Sequence, residues 1–303
     1  MNNNFKKCML AGCIVLGASF SGAVLATGGS SSKNCGSGGG GSSDPDCYTW
    51  TFDNSSSTLK TSYTENSSPS GVTSTATAWS STGTGGALQS AYLGEYGSSG
   101  MGVTNNTGID SASPQHAVDN SGAVDSILFT FGSKVNIDSM SVGWVSGDSD
   151  FTVLAYTGSG TPAALAGQTY ADLLTNGWSL IGNYSGGSSA GTRDFSNDVY
   201  SSYWLIGALN TLVGGVQDST TTQVCTKYYS NGSCKTWSTQ TTPSYDYFKL
   251  LSLAGCDCST APPGTPGCGG GGTPGGGVPE PGTLFLLGAG LLGLTRMVRR
   301  PAR

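Results

Sequence analysis

The feature that most restricts the fold of this chain is a series of short runs of β-branched and aromatic residues, each ended by glycine, asparagine, aspartate or serine. Residues 48–52 alternate rings with hydroxyls, which is the two-residue period of a half-buried strand. Further strands are predicted at 72–79, 87–93, 127–131, 140–145, 151–156, 178–184, 200–208 and 245–253. One short helix is predicted at 170–176, with Gly177 as its cap. This pattern predicts a single all-β domain at 48–255, an antiparallel β-sandwich resembling a jelly roll.

Composition supports one folded domain with flexible flanks. The 303 residues include 49 glycines and only 13 basic and 18 acidic side chains, so the chain is glycine-rich and poor in charge. Aromatic residues make up 9% of it, which is enough to build a core and argues against wholesale disorder. The formal net charge of −5 argues against a nucleic-acid partner, and the single histidine excludes a metal centre built from several histidines.

The first 26 residues have the organisation of a secretory signal peptide. Lys6 and Lys7 precede an apolar stretch, and the small residues that follow predict cleavage after Ala26. We therefore expect the secretion translocon and signal peptidase to act on this chain. A retained membrane helix and lipidation at Cys13 are the alternatives. Residues 27–47 are rich in glycine and serine and are expected to form a flexible leader.

The carboxyl-terminal residues 278–303 have the organisation of a membrane-associated tail. They begin with a short motif of two prolines around a glutamate: Val278, Pro279, Glu280 and Pro281. An apolar segment follows, and we expect a short transmembrane helix at 283–295. The positive-inside rule predicts that the basic end stays in the cytoplasm, with the body outside. This basic end consists of Arg296, Arg299, Arg300 and Arg303. Residues 256–277, rich in proline and glycine, are expected to link body and tail.

This order of a Pro-Glu-Pro run, a short glycine-containing apolar helix and a basic end resembles the PEP-CTERM sorting tail. The resemblance implies recognition by an exosortase-type enzyme of Gram-negative bacteria that also make exopolysaccharide. It implies that the run at 279–281 is read by that enzyme at the inner membrane. Removal of the tail would then pass the body to the cell surface or extracellular matrix. A plain membrane anchor is the alternative.

The body is similar to the exosortase-dependent surface protein family. The residues that carry this resemblance lie at 113–120, 125–129, 142–144, 148–150, 203–208 and 246–250. The resemblance covers roughly residues 48–255 and implies a location outside the cell. It implies no particular reaction.

Cysteine usage predicts disulfide bonds, because export exposes the chain to oxidising conditions. Seven cysteines remain after signal cleavage: Cys35, Cys47, Cys225, Cys234, Cys256, Cys258 and Cys268. We expect Cys35 to pair with Cys47. Cys225 and Cys234 flank an Asn-Gly turn inside an apparent insertion at 217–243, and we expect them to close a type I′ hairpin. Either Cys256 or Cys258 is expected to bond Cys268, and an odd count leaves one thiol free or intermolecular.

Acidic residues in the predicted loops indicate a candidate calcium site. The candidate ligands are Asp119, Asn120, Asp125, Asp148 and Asp150. Calcium takes six to eight oxygen ligands from carboxylates, amides and carbonyls, which these residues offer. The alternative is turn chemistry, in which Asp and Asn bond their own backbone.

Catalytic signatures are weak, so we expect a structural or adhesive protein and not an enzyme. Gly187 to Gly191 matches the nucleophile-elbow spacing, but it lies in a Gly/Ser loop and would have to recruit His116. Asp148 and Asp150 could serve a glycoside hydrolase. A carbohydrate-binding module is the stronger alternative, with Trp237 and Trp79 in polar contexts where they could stack on sugars, exopolysaccharide included.

Overall fold

The computed structural model describes residues 47–56, 58–105, 114, 116–258, 261 and 268. Four predicted segments lie wholly or mostly outside these residues: the signal peptide with Ala26, the leader with Cys35 up to residue 46, most of the linker, and the sorting tail with its helix at 283–295 and its arginines. Within the described part of the chain, no helix combines the length and the apolar character required to cross a bilayer.

The described residues are mostly β-structure, as the alternating runs predict. The strands are β1 (Cys47–Thr51), β2 (Ser62–Asn66), β3 (Thr73–Ser80), β4 (Gln89–Glu95), β5 (Met101–Thr104), β6 (Val118–Asp119), β7 (Asp125–Val145), β8 (Phe151–Tyr156), β9 (Trp178–Tyr184), β10 (Gly191–Asp194), β11 (Ser201–Ala208), β12 (Ser219–Tyr228), β13 (Cys234–Pro243) and β14 (Tyr247–Asp257). One α-helix, α1 (Tyr170–Thr175), lies between β8 and β9.

Twelve strands form one antiparallel sheet that folds over on itself. The order β14-β5-β4-β3-β7 closes because β7 also pairs with β14, while β11, β8 and β9 extend the sheet beyond β7. β1 pairs with β14, β10 with β7 and β2 with β3. The predicted antiparallel all-β class is confirmed, with an architecture between a sandwich and a barrel.

The long strand β7 corrects the prediction of two strands at 127–131 and 140–145. It runs unbroken for 21 residues through Gly132 and Ser133, which resemble turn residues in the sequence. Its first part pairs with β3 as far as Phe131, and its second part pairs with β14 from Val135 onward. Because a new neighbour takes over the backbone hydrogen bonds, the strand continues where local sequence favours a turn.

The main core lies inside this folded sheet and includes buried residues of β1, β3, β4, β5, β7, β8, β11 and β14. Trp50 packs edge to face on Phe131, with ring centroids 4.7 Å apart. Its indole N–H donates to the Val72 carbonyl at 2.8 Å, so the ring is buried without an unpaired donor. Trp204 in β11 is equally buried and donates to the Val135 carbonyl at 3.2 Å.

A smaller core lies on the outer face of the sheet, beneath α1. The predicted helix is confirmed, and Thr169 and Asp172 form a capping box at its start. The cap at its end is Asn176, and Gly177 follows with a φ of 90°. Tyr170 and Leu173 of the helix pack in a cluster with Leu154, Trp178 and Leu205 of the sheet.

β12 and β13 form a separate two-stranded sheet, the hairpin predicted at 217–243. The predicted Cys225–Cys234 disulfide is present. The turn differs from the predicted type I′. Asn231 has no positive φ and Gly232 has φ +84°, while Gly232 N–H donates to the Tyr229 carbonyl at 3.0 Å. This is a type I turn with glycine in the left-handed position, the three-residue hairpin form.

The remaining described cysteines lie near the carboxyl end of the body. Cys258 bonds Cys268, which decides between the two predicted partners of Cys268. Cys47 lies opposite Cys256 in the pairing of β1 with β14, and their sulfurs are 3.2 Å apart. The predicted Cys35–Cys47 bond involves a residue outside the described part of the chain.

Candidate functional site

Four acidic residues meet where β8, β12 and β14 begin. Asp148 and Asp150 lie just before β8. Asp218 lies just before β12, and Asp246 lies just before β14. Carboxylate oxygens of Asp148, Asp150 and Asp218 all lie within 4.8 Å of one another. We call these four residues the acidic cluster. Asp148 and Asp150 are predicted from the sequence, whereas Asp218 and Asp246 are reached only through the fold.

Asn120, another predicted ligand, holds this region together. Its side-chain oxygen accepts from the Asp246 backbone N–H at 2.9 Å. Its amide group donates to the Asp246 carboxylate at 2.6 Å and to the Leu209 carbonyl at 3.1 Å. The amide of Asn120 is therefore a buried structural clamp between three loops, and its oxygen is already engaged by a backbone donor.

Asp246 is the residue of the cluster most affected by its surroundings. It is 2% exposed, and its carboxylate accepts from the Asp150 backbone N–H at 2.9 Å. Burial raises the pKa of Asp246 to about 7, and the negative charges of Asp150 and Asp148 add to that rise. The cluster therefore concentrates negative charge at a partly desolvated position.

The other two predicted calcium ligands, Asp119 and Asp125, are not among the residues whose carboxylates group together. The Asp119 side chain accepts from the Ser121 backbone N–H at 2.9 Å, which is the turn chemistry that was the alternative to metal binding. Asp125 is buried at the start of β7, near the buried Tyr170 hydroxyl. The grouped carboxylates at Asp148, Asp150 and Asp218 are thus a different set from the predicted one.

Oxygen-rich sites of this kind suit hard cations such as Ca²⁺. Asp148 and Asp150 also use carboxylate oxygens to accept from the backbone of Ser149 and Gly186, at 2.8 and 2.7 Å.

The candidate catalytic serines and histidine have other surroundings. The loop of Ser188 and Ser189 is exposed and leads into β10. His116 has a φ of 59°, stacks on Tyr96 with centroids 5.8 Å apart, and places Nδ1 2.6 Å from the Thr104 hydroxyl. These contacts fit a loop-packing role for His116.

The tryptophans of the body differ in their exposure. Trp178 and Trp204 are buried, whereas Trp144 is only half-buried and lies 4.0 Å below the Lys249 ammonium. Of the two candidate sugar platforms, Trp237 is 60% exposed on β13. Trp79 is half-buried and its indole donates to the Thr77 hydroxyl at 3.1 Å.

The comparison with known families concerns the other functional region, the carboxyl-terminal tail. The profile of the PEP-CTERM protein-sorting motif matches residues 277–300. The chain carries a PEP-CTERM sorting motif. This confirms the resemblance drawn from the Pro-Glu-Pro run at 279–281 and the basic end. The PEP-CTERM tail identifies an exported protein that passes through the membrane toward the cell surface and is sorted by an exosortase-type enzyme.

The body itself has no counterpart among the proteins compared. No curated protein and no solved structure shows significant similarity to the chain. The likeness of the body to the exosortase-dependent surface protein family therefore stays a prediction.

Proposed function

We propose that this PEP-CTERM protein is a structural or adhesive component of the cell surface or extracellular matrix, and that its body does no catalysis. The observation that carries the proposal is the sorting motif at 277–300. The tail would be removed on arrival, so that the β-domain is the mature product. Its association with exopolysaccharide is part of the same proposal.

The body has properties that support an extracellular role. Disulfides close the hairpin and the carboxyl end at Cys258–Cys268, and such bonds persist under oxidising conditions. The antiparallel sheet closes through the β7–β14 pairing, which gives the backbone of both strands a partner and leaves fewer open edges. Both features favour persistence outside the cell.

Mass spectrometry of the mature carboxyl terminus tests the sorting step. An epitope tag within the body allows the protein to be recovered from host cells with and without the exosortase-type enzyme. We expect a chain shortened near residue 278 in the first case and an intact, membrane-retained chain in the second. Glu280→Gln should behave like loss of the enzyme, whereas Lys227→Gln on the exposed hairpin should be processed normally. An intact tail on the mature surface protein would contradict the proposal.

A carbohydrate-binding module is the second candidate, and the exposure of Trp237 favours it. A ring on a two-stranded ribbon is accessible to a flat sugar face. Retention on immobilised polysaccharide that is lost in Trp237→Ala and kept in Trp237→Phe would support this candidate. Retention that is unchanged in Trp237→Ala would remove the hairpin from any sugar-binding role.

We further propose that the acidic cluster holds Ca²⁺ through Asp148, Asp150 and Asp218. Support comes from the close approach of these three carboxylates. It also comes from the raised pKa of Asp246, because a bound cation would reduce the electrostatic repulsion among the buried carboxylates. The melting temperature should rise on addition of Ca²⁺ and fall with chelator. Asp218→Asn should remove that response, and Asp194→Asn on β10 should keep it. A melting temperature indifferent to chelator would refute the site.

A further inference from the structure

A groove opens on the body at the point where β7 changes partners. It has a volume of about 220 Å³ and lies between Lys134 of β7, the end of β8 and the start of β11. The lining residues that matter are Lys134, Tyr156, Asp198, Tyr200, Ser202 and Tyr203. None of its lining residues belongs to the acidic cluster or to the β12–β13 hairpin.

An irregular pairing of β11 with β7 produces the groove. Ser201 pairs with Val135 and Tyr203 pairs with Thr130, so residues 131–134 of β7 lie opposite Ser202 alone. This irregularity is a β-bulge. Such bulges change the direction in which side chains point and are common beside binding sites. The Ser201 hydroxyl bonds the carbonyls of Tyr156 and Tyr203 at 2.7 and 3.0 Å, which secures both strand ends at the groove.

The rings of Tyr156 and Tyr203 are held in place before any ligand arrives. Tyr156 meets Tyr203 edge to face with centroids 6.1 Å apart, and it meets the buried Trp178 in the same way at 5.7 Å. All three lining tyrosines are half-buried, so part of each remains accessible. Rings held in this way lose little conformational freedom on binding.

The polar groups of the groove are balanced in charge. Lys134 and Asp198 contribute one positive and one negative side chain, and Ser202 and the tyrosines contribute hydroxyls. An anionic ligand would meet Asp198 and a cationic ligand would meet Lys134. The groove therefore offers aromatic faces, several hydrogen-bond donors and acceptors, and no net charge. These features match a ligand that has apolar C–H faces and many hydroxyls.

We propose that this groove binds one unit of a neutral saccharide, with the tyrosines packing on the sugar ring and the polar residues bonding its hydroxyls. The inference rests on the proposed association with exopolysaccharide and gives it a site, but it does not depend on the tail, so its failure leaves the sorting experiment unaffected. It also differs from binding at Trp237, which lies on the hairpin.

Titration calorimetry on the mature chain tests the proposal. The probes are linear neutral oligosaccharides of glucose, galactose and mannose, with oligogalacturonate as a charged comparison. We expect binding of at least one neutral probe and weaker binding of the charged one. Tyr200→Ala should weaken the affinity about tenfold, and Tyr200→Phe should keep it within about threefold, because stacking needs the ring.

Matched variants distinguish binding in this groove from binding on the hairpin and from a general loss of folding. Trp237→Ala should leave the affinity unchanged, and unfolding curves identical to those of the native chain should accompany each variant. Absence of binding to every neutral probe at millimolar concentration would overturn the proposal. Loss of binding in Trp237→Ala with full binding in Tyr200→Ala would overturn it too, by assigning the sugar to the hairpin.

Discussion

At the scale of single residues, Asn120 and Asp246 show how a buried polar contact organises loops far apart in sequence. Asn120 exchanges two hydrogen bonds with Asp246, which lies 126 positions away, and a third reaches the Leu209 carbonyl. Each buried polar group here has its partner supplied by another loop. A substitution therefore leaves donors and acceptors unsatisfied in a place that water reaches poorly.

Asn120→Ala should lower the free energy of unfolding by about 1 to 3 kcal/mol, because the Asp246 N–H and the Leu209 carbonyl lose a partner at once. Denaturant titration measures the change. Asn54→Ala, which removes an exposed side chain bonded to Glu65, serves as the matched control and should have a much smaller effect. If both variants lost the same free energy of unfolding, the buried hydrogen bonds of Asn120 would contribute no more to stability than an exposed one.

The raised pKa of Asp246 predicts a pH dependence of stability. Its value of about 7 in the folded state exceeds the ordinary 3.8, so the folded chain binds this proton more tightly than the unfolded chain does. The free energy of unfolding should therefore fall as pH rises from about 4 to about 7. Burial also raises the pKa of Glu95, which adds a decline of the same sign.

Asp246→Asn should flatten this decline, since the variant has no proton to lose. Unfolding curves at several pH values between 4 and 8 measure the slope, and Asp194→Asn on β10 should keep the native slope. A slope that is the same in Asp246→Asn and the native chain would assign the pH dependence to other groups.

At the scale of elements, the close approach of β14 to β7 depends on a glycine. A Cβ built on Gly255 would collide with the backbone carbonyl of Asn136. Gly255→Ala should therefore separate the two strands locally and destabilise the fold by about 1 to 3 kcal/mol, which thermal or chemical unfolding measures. Gly132→Ala is the control, because a Cβ there meets nothing nearer than 3.8 Å. Equal tolerance of both substitutions would argue against tight β7–β14 packing.

The β12–β13 hairpin is an element that stands outside both cores, since neither core cluster includes its residues. A two-stranded hairpin alone is marginal in water, so its disulfide should matter locally. The double variant Cys225→Ser, Cys234→Ser should be cut faster by protease between residues 219 and 243. Its body should keep the melting temperature of the native chain within a few degrees. A large loss of body stability would mean that the hairpin supports the main fold.

At the scale of the whole molecule, the β-domain and the sorting motif occupy separate parts of the sequence. The buried residues of the main core run from Trp50 to Leu253, and the smaller core lies within the same limits. Chains with and without residues 278–303 should therefore show the same melting temperature for the β-domain, measured in detergent so that both remain in solution. A shift of many degrees would show that the tail contributes to the fold.

Much of this organisation follows from local sequence alone. The alternation at 48–52 depends only on neighbouring residues and on the two-residue period of a strand, so β1 was predictable. The same holds for α1, whose capping box is formed by residues three apart, and for the Cys225–Cys234 pair across a glycine turn. Strands β2, β5 and β10 are short or rich in polar and glycine residues, so periodicity gives little indication of them.

The sorting motif, the strand pattern and the helix cap were determined by the sequence itself, because each depends on residues close together in the chain. The tertiary structure alone decided that β7 passes unbroken from β3 to β14, that Asp218 and Asp246 join Asp148 and Asp150, and that a groove forms opposite Ser202. These features depend on which distant strands supply the backbone partners. Which strands pair is decided by the total burial and backbone pairing of the whole sheet, and a local sequence pattern does not contain that information.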